Sequence, residues 1–232
     1  MEISRFHHRI EYTRNKHSRA VCRGDTIVIR LARNLSKTEE RDHIQSLLRR
    51  MTHLILKEHR KIAIDPFRPL LDGAQSLTLR VASGRTYSFA LTPGRRTVTR
   101  RTRDGWHITI GPQVRRRSLH RFLWSLLGRA EQDRMRRLVD EINQQTLRIS
   151  LRDVRVRFAT TQWGSCSTRG VIMLNTALLF LPPSVLTYVI VHELAHRRVA
   201  NHSPAYWTLV ESALPAYEQA YRELQEYRLP HE

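Results

Sequence analysis

Residues 191–196, Val-His-Glu-Leu-Ala-His, restrict the possible structure of this chain more than any other stretch. His192 and His196 are four residues apart, so on a helix both imidazoles lie on one face and can reach one ion. Glu193 lies about 100° further round the helix axis, which brings its carboxylate beside such an ion. A buried helix is indicated by the apolar residues Val185, Leu186, Val189, Ile190 and Leu194. Because buried histidines need a partner, the sequence predicts a metal site.

A third ligand can be sought downstream of this helix. Asn201 can adopt a left-handed conformation that turns His202 back toward the ion. The spacing to His202 is that of metzincins, but Val199 occupies the position of their glycine and no Met follows Met173. Glu211 is the alternative ligand, because a downstream glutamate completes the site in thermolysin-like enzymes. The sequence favours His202 and leaves Glu211 open.

Two neutral imidazoles beside a carboxylate suit metal-assisted hydrolysis. Zinc held by three protein ligands keeps a fourth position for water, whose pKa falls to about 7. Glu193 is placed to take a proton from that water as general base. Ligand imidazoles must be unprotonated, so activity is expected to fall on acidification.

The pattern of the remaining chain predicts an α+β fold. A short hairpin or meander is expected around the turn Arg23-Gly24-Asp25, and residues 36–39 have the form of a capping box that begins a helix at about 37–61. Residues 76–110 alternate between polar and apolar with glycine turns, which indicates antiparallel hairpins. A long amphipathic helix is predicted over 118–145, and a further hairpin over 161–175.

Four residues near this hairpin and helix have two interpretations each. The strand containing Trp163 and Cys166 could pair with an extended substrate or belong to the core. Cys166 is disfavoured as a nucleophile, since its histidine partners are better explained as ligands. Tyr206 could stabilise an oxyanion or pack in the core. Asn175 could orient a ligand or cap a turn.

Length and composition indicate a soluble protein. No run of about 18 apolar residues is present, and the first 30 residues lack the apolar core of a signal peptide. The two cysteines, Cys22 and Cys166, are far apart in sequence, which favours reduced thiols. We therefore expect a cytoplasmic protein without a membrane partner.

The positive charge is distributed unevenly along the chain. The net charge is +19, and residues 1–150 hold 32 basic and 14 acidic side chains, whereas residues 151–232 hold 8 and 7. Such an excess is typical of a surface that binds a phosphate backbone, so the basic N-terminal region predicts nucleic-acid association. A solvated cationic face, or one that binds acidic proteins, is the simpler alternative.

The charge also supports a second class of function. The protein could be a nucleic-acid-associated binding protein whose zinc site is structural or only conditionally catalytic. Structural zinc sites, however, are usually closed by four protein ligands, often cysteines, whereas three ligands and a base are found here. The enzyme is therefore the favoured interpretation.

Taken in order, several motifs resemble the YgjP-like metallopeptidase domain, a family of small zinc enzymes related in their catalytic helix to the SprT and Spartan group. The matching positions lie in residues 162–167, Gly170, 174–175, Leu178, Pro182, 188–196, 201–203 and Trp207. The resemblance is dense over 113–232, and over 1–112 it rests on the order of elements. Arg197 and Arg198 depart from it by making the rim of the site more cationic.

This resemblance implies a small zincin-like peptidase domain that hydrolyses peptide bonds in a protein or peptide substrate. Zn²⁺ would be the cofactor, with His192, His196 and His202 as ligands and Glu193 as catalytic base. The domain would comprise residues 113–232, preceded by a basic, β-hairpin-rich region over residues 1–112 that contains one helix.

Overall fold

Residues 7–23 and 26–230 are described by a computed structural model, and the chain divides between Ile62 and Ala63 into two compact units. The described part contains six α-helices and several small sheets, so the α+β prediction is confirmed. Gly24 and Asp25 of the predicted turn lie outside the described residues. No helix in the described ranges is long and apolar enough to cross a membrane.

The first unit is a three-stranded sheet with one helix. Its elements are β1 (His7–Thr13), β2 (Arg19–Arg23), β3 (Thr26–Ala32) and α1 (Lys37–Arg60). The central strand β3 pairs antiparallel with β2, as a hairpin requires, and parallel with β1. The predicted capping box is confirmed, because Ser36 Oγ accepts from Glu39 N at 3.3 Å and the Glu39 carboxylate accepts from Ser36 N at 2.7 Å.

The second unit contains the remaining elements. After β4 (Ile62–Ala63), at the division, these are α2 (Arg68–Leu71), β5 (Ser76–Arg80), β6 (Thr86–Pro93), β7 (Val98–Arg101), β8 (Gly105–Ile110), α3 (Arg116–Gln145), β9 (Asp153–Arg157), β10 (Gly164–Cys166), β11 (Val171–Asn175), a 3-10 helix (Thr176–Phe180), α4 (Pro183–Ala195), α5 (Pro204–Ala213), α6 (Tyr217–Leu224) and β12 (Tyr227–Arg228). The long helix α3 confirms the helix predicted over 118–145.

Two sheets flank α3 in this unit. The four-stranded sheet has the order β5-β6-β8-β7, and its outer pairs are the predicted antiparallel hairpins. Its central pair, β6 and β8, is parallel. The three-stranded sheet has the order β10-β11-β9, with β10 antiparallel and β9 parallel to β11. Strand β10 is thus an edge strand next to the residues that precede α4.

The core of the second unit extends across residue 112, where the sequence predicted a domain boundary. Trp124 of α3 is fully buried, and its ring lies 5.1 Å from that of Phe67 and 4.9 Å from that of Phe158. Phe89 and Trp106, from the four-stranded sheet, belong to the same cluster. Residues 63–112 therefore pack with 113–232, because the hairpins bury their apolar faces on α3 and cannot bury them among themselves.

Candidate metal centre

Helix α4 holds the central residues of the site in the interior of the second unit. Pro183 occupies its first position, where a missing N–H costs no hydrogen bond. The helix is apolar around most of its circumference, and Val185, Ile190 and Leu194 are fully buried. His192 therefore lies on the last turn of a helix that packing holds on several sides.

The three predicted ligand histidines come together in the structure. His192 Nε2 lies 3.2 Å from His196 Nε2 and 3.3 Å from His202 Nε2. One ligand atom from each residue lies within 4.8 Å of the others, so the group could hold a metal ion. Nitrogens bound at 2.0–2.1 Å to a tetrahedral zinc are separated by about 3.3 Å, which the two separations from His192 match.

The turn after α4 brings His202 to this group in a way that differs from the prediction. Asn201 does not adopt the left-handed conformation, because among the described residues other than glycine only Asn34 and Arg148 have positive φ. The helix end is tightened instead by hydrogen bonds from Arg197 N to Leu194 O at 3.0 Å and from Arg198 N to Ala195 O at 2.9 Å. Helix α5 then begins directly after Ser203.

Neighbouring groups orient the imidazoles. His196 Nδ1 donates to Val199 O at 3.3 Å, which leaves the lone pair of Nε2 available to an ion. His192 Nδ1 lies 3.3 Å from the hydroxyl of Tyr188, one helical turn earlier. Burial lowers the pKa of His192 to about 4 and also lowers the pKa of His196. Both rings are therefore neutral near pH 7, as metal ligands must be.

Glu193 is buried beside the histidines. Its exposed fraction is 5%, and burial raises its pKa from 4.5 to about 8. Strand β10 lies against the carboxylate, since a Cβ atom at Gly164 would be 2.5 Å from Glu193 Oε1. A nearby cation would lower this pKa toward neutrality, where a general base is most effective.

Tyr206 packs against two of the three histidines. Its ring is fully buried, with centroid distances of 5.4 Å to His192 and 4.8 Å to His196. Its hydroxyl donates to the carbonyl oxygen of His192 at 3.2 Å, so it is engaged with the backbone of α4. Burial raises the pKa of this hydroxyl. The residue thus fastens α5 to the last turn of α4.

The other residues selected from the sequence have structural surroundings. Asn175 is buried, and its amide donates to Ala159 O and Gln162 O while its oxygen accepts from Ala177 N. It therefore anchors the loop before β10 and caps the 3-10 helix. Trp163 is half-buried against the core. Cys166 is also half-buried, and burial raises the pKa of its thiol, which disfavours a nucleophilic thiolate.

Three other residues named from the sequence, Glu211, Arg197 and Arg198, do not take part in the group of histidines. Glu211, the alternative ligand, is exposed on α5 and is not a member of the metal-holding group. The guanidinium groups of Arg197 and Arg198 donate to Thr168 O and Leu147 O, each at 2.8 Å, and so tie α4 to neighbouring backbone. Sequence reasoning missed the role of Tyr188, although its spacing of four residues before His192 places both on one helix face. It also missed the contact between Gly164 and Glu193, which no local pattern signals.

In metal-free protein, we expect Glu193 to lower stability as the pH rises. The pKa of Glu193 is higher in the folded protein than in the unfolded chain. The stabilisation by the neutral carboxyl is therefore fully present below pH 4.5 and is lost as the pH rises through about 8. The melting temperature of chelator-treated protein should fall from roughly pH 6.5 to about pH 8 and then level off, a range above the titration of His192, and should fall less for Glu193→Gln. The exposed Glu211→Gln is the control and should follow the wild type. Parallel curves for wild type and Glu193→Gln would refute the expectation.

Comparison with known proteins found one matching family and one similar structure. A family model described as YgjP-like, metallopeptidase domain, matches residues 8–227. The chain is also similar to the crystal structure of the metallopeptidase zymogen of Pyrococcus abyssi abylysin, at 24% identity, over 40% of this chain and 96% of that chain, with a TM-score of 0.35. No curated protein is significantly similar to the chain. Because the family model matches nearly its whole length, the chain belongs to the YgjP-like metallopeptidase family.

Proposed function

We propose that the protein is a zinc-dependent peptidase, with His192, His196 and His202 as metal ligands and Glu193 as general base. The observation that carries the proposal is the group of three imidazoles, with Nε2 separations of 3.2 and 3.3 Å from His192, beside a buried carboxylate on the next residue of the helix. Family membership supports metallopeptidase activity and a divalent metal. The choice of zinc rests on three nitrogen ligands, of which the two separations from His192 match tetrahedral spacing.

The metal ligands and Glu193 have separate roles in the proposed hydrolysis. Held by His192, His196 and His202, a bound zinc would supply a water of lowered pKa and would polarise the scissile carbonyl. Glu193 takes a proton from the attacking water and delivers it to the amine that leaves. The burial of Glu193 keeps bulk solvent from its carboxylate. Because the carboxylate also lies against Gly164, it can contact the attacking water from one direction.

Strand β10 is the proposed platform for the substrate. Among the described residues it pairs only with β11, so its other edge is available to an extended peptide. One face of β10 at Gly164 lies against the Glu193 side chain. Main-chain hydrogen bonds to β10 would therefore bring the scissile bond to the base whatever the side chains of the substrate.

A structural role for the metal is less well supported. The group contains three histidines, and none of the described cysteines joins it, whereas structural zinc sites are usually closed by four ligands. Nucleic-acid association through residues 1–112 and a cytoplasmic location stay predictions.

We expect Glu193→Gln to retain the metal and lose turnover. Gln keeps the size of the side chain but cannot accept the proton, and loss of a general base typically costs about 10²–10⁴ in rate. Bound metal and cleavage of a peptide library should be measured on the same preparations. Glu211→Gln is the matched control and should keep both properties. A Glu193→Gln protein with wild-type turnover would remove Glu193 from the mechanism.

The identity of the third ligand predicts opposite results for two alanine variants. We expect His202→Ala to weaken metal binding by at least about tenfold, since it removes one of three imidazoles. Glu211→Ala should bind metal as the wild type does. Competition with a chromogenic chelator measures both affinities. Retention of metal by His202→Ala with loss in Glu211→Ala would make Glu211 the ligand.

We expect Gly164→Ala to lower the turnover number while metal affinity stays unchanged. The new methyl group would lie within 3 Å of three atoms of the Glu193 side chain, so the carboxylate or β10 must move. A displacement of this kind commonly costs about 10²-fold in rate. The neighbouring Ser165→Ala, whose side chain makes no hydrogen bond with described residues, is the control. Equal turnover in the two variants would show that the position of β10 does not matter.

A further inference from the structure

Two basic depressions flank α3 in the second unit, and we call them together the basic groove. None of the three histidines lines it. It consists of two depressions of about 610 and 740 Å³ that share Arg129. The first lies between α3 and the edge strand β7 with its neighbour β8, and the second lies between α3 and the edge strand β9. Its arginines are Arg101, Arg121, Arg129, Arg155 and Arg157.

The charge of this groove is largely uncompensated. None of its lining residues is Asp or Glu. Arg101, Arg129 and Arg157 form no ion pair with any residue in the described ranges, whereas Arg155 pairs with Asp153 at 2.9 Å. Several cations that line one surface without an acidic lining residue favour a ligand that carries several negative charges.

Aromatic side chains lie between these arginines. Phe122 and Phe158 are half-buried, so part of each ring faces the groove. Phe158 is held in place by stacking on Trp124, with 4.9 Å between ring centroids and 5° between planes. The guanidinium group of Arg101 lies 4.2 Å over the ring of Trp106. Cationic side chains interleaved with fixed aromatic rings are typical of surfaces that bind single-stranded nucleic acid.

The backbone of β9 is closed to a peptide in this groove. Gln132 Nε2 donates to Val154 O at 2.7 Å, and Gln132 Oε1 accepts from Val156 N at 2.9 Å. The side chain of Gln132 thus occupies the main-chain groups that an added strand would need. At β9, recognition must therefore use the arginines and aromatic rings, which suits phosphates and bases better than an extended acidic peptide.

We propose that this groove binds single-stranded nucleic acid, with phosphates on Arg129 and Arg157 and bases against Phe122 and Phe158. The ligand class is set by the phosphate backbone, so DNA and RNA strands both fit. Four of the five arginines follow residue 112, so the surface differs from the basic N-terminal region to which the sequence assigned nucleic acid. The proposal is independent of peptidase activity.

Binding of a labelled oligothymidylate of about 16 nucleotides, followed by fluorescence anisotropy, tests the proposal. We expect Arg129→Glu with Arg157→Glu to weaken binding at least about tenfold at low salt, because each reversal replaces a phosphate contact with repulsion. Arg137→Glu with Arg169→Glu, both exposed outside the groove and outside residues 1–112, makes the same change in net charge and should change affinity less than about twofold. Melting temperatures of both variants verify that they fold.

Two further measurements separate the groove from general charge. Arg129→Ala with Arg157→Ala should reduce the slope of log affinity against log salt by about 1.4, since each lost contact with a single strand contributes about 0.7. Oligouridylate should bind as oligothymidylate does. Equal losses in the groove and control charge reversals, tighter binding of a DNA duplex or of polyglutamate, or no binding at low salt would each overturn the proposal.

Discussion

The burial of ionisable groups at the end of α4 is the constraint on which the rest of the second unit depends. Glu193 has a raised pKa and His192 a lowered one, so the apolar surroundings oppose charge on both. Such burial is tolerable only where packing is strong and a balancing partner is at hand. Helix α4, which is apolar on nearly all sides, supplies the packing. The proposed cation would balance the negative charge of the Glu193 carboxylate.

The surrounding elements follow from this constraint. Tyr188 and Val199 fix the rings of His192 and His196, while Tyr206 fastens α5 to the same turn. Each contact holds a nitrogen or a backbone segment near the point where the three imidazoles converge. Catalytic geometry of this kind needs positions accurate to a fraction of an ångström, and side chains locked by packing provide it.

The sequence predicted the local features well. Helix spacing places His192 and His196 on one face, and the capping box at Ser36 begins α1 where expected. It did not predict the parallel pairing of β6 with β8, or the shared core that joins Phe89 to Trp124 across residue 112. Both depend on contacts between residues distant in sequence, which periodicity does not encode. The contact of Gly164 with Glu193 was missed for the same reason.

The hydrogen bond from Arg197 to Thr168 O links the catalytic helix of this chain to the neighbouring hairpin. It joins the end of α4 to the turn of the β10–β11 hairpin. The catalytic base and the proposed substrate-binding edge are therefore held in a fixed position relative to each other. Because the acceptor is a main-chain oxygen, the link does not depend on which side chain occupies position 168. The hairpin tip can therefore accumulate substitutions, and with them new preferences for what lies across β10, without loosening the catalytic helix.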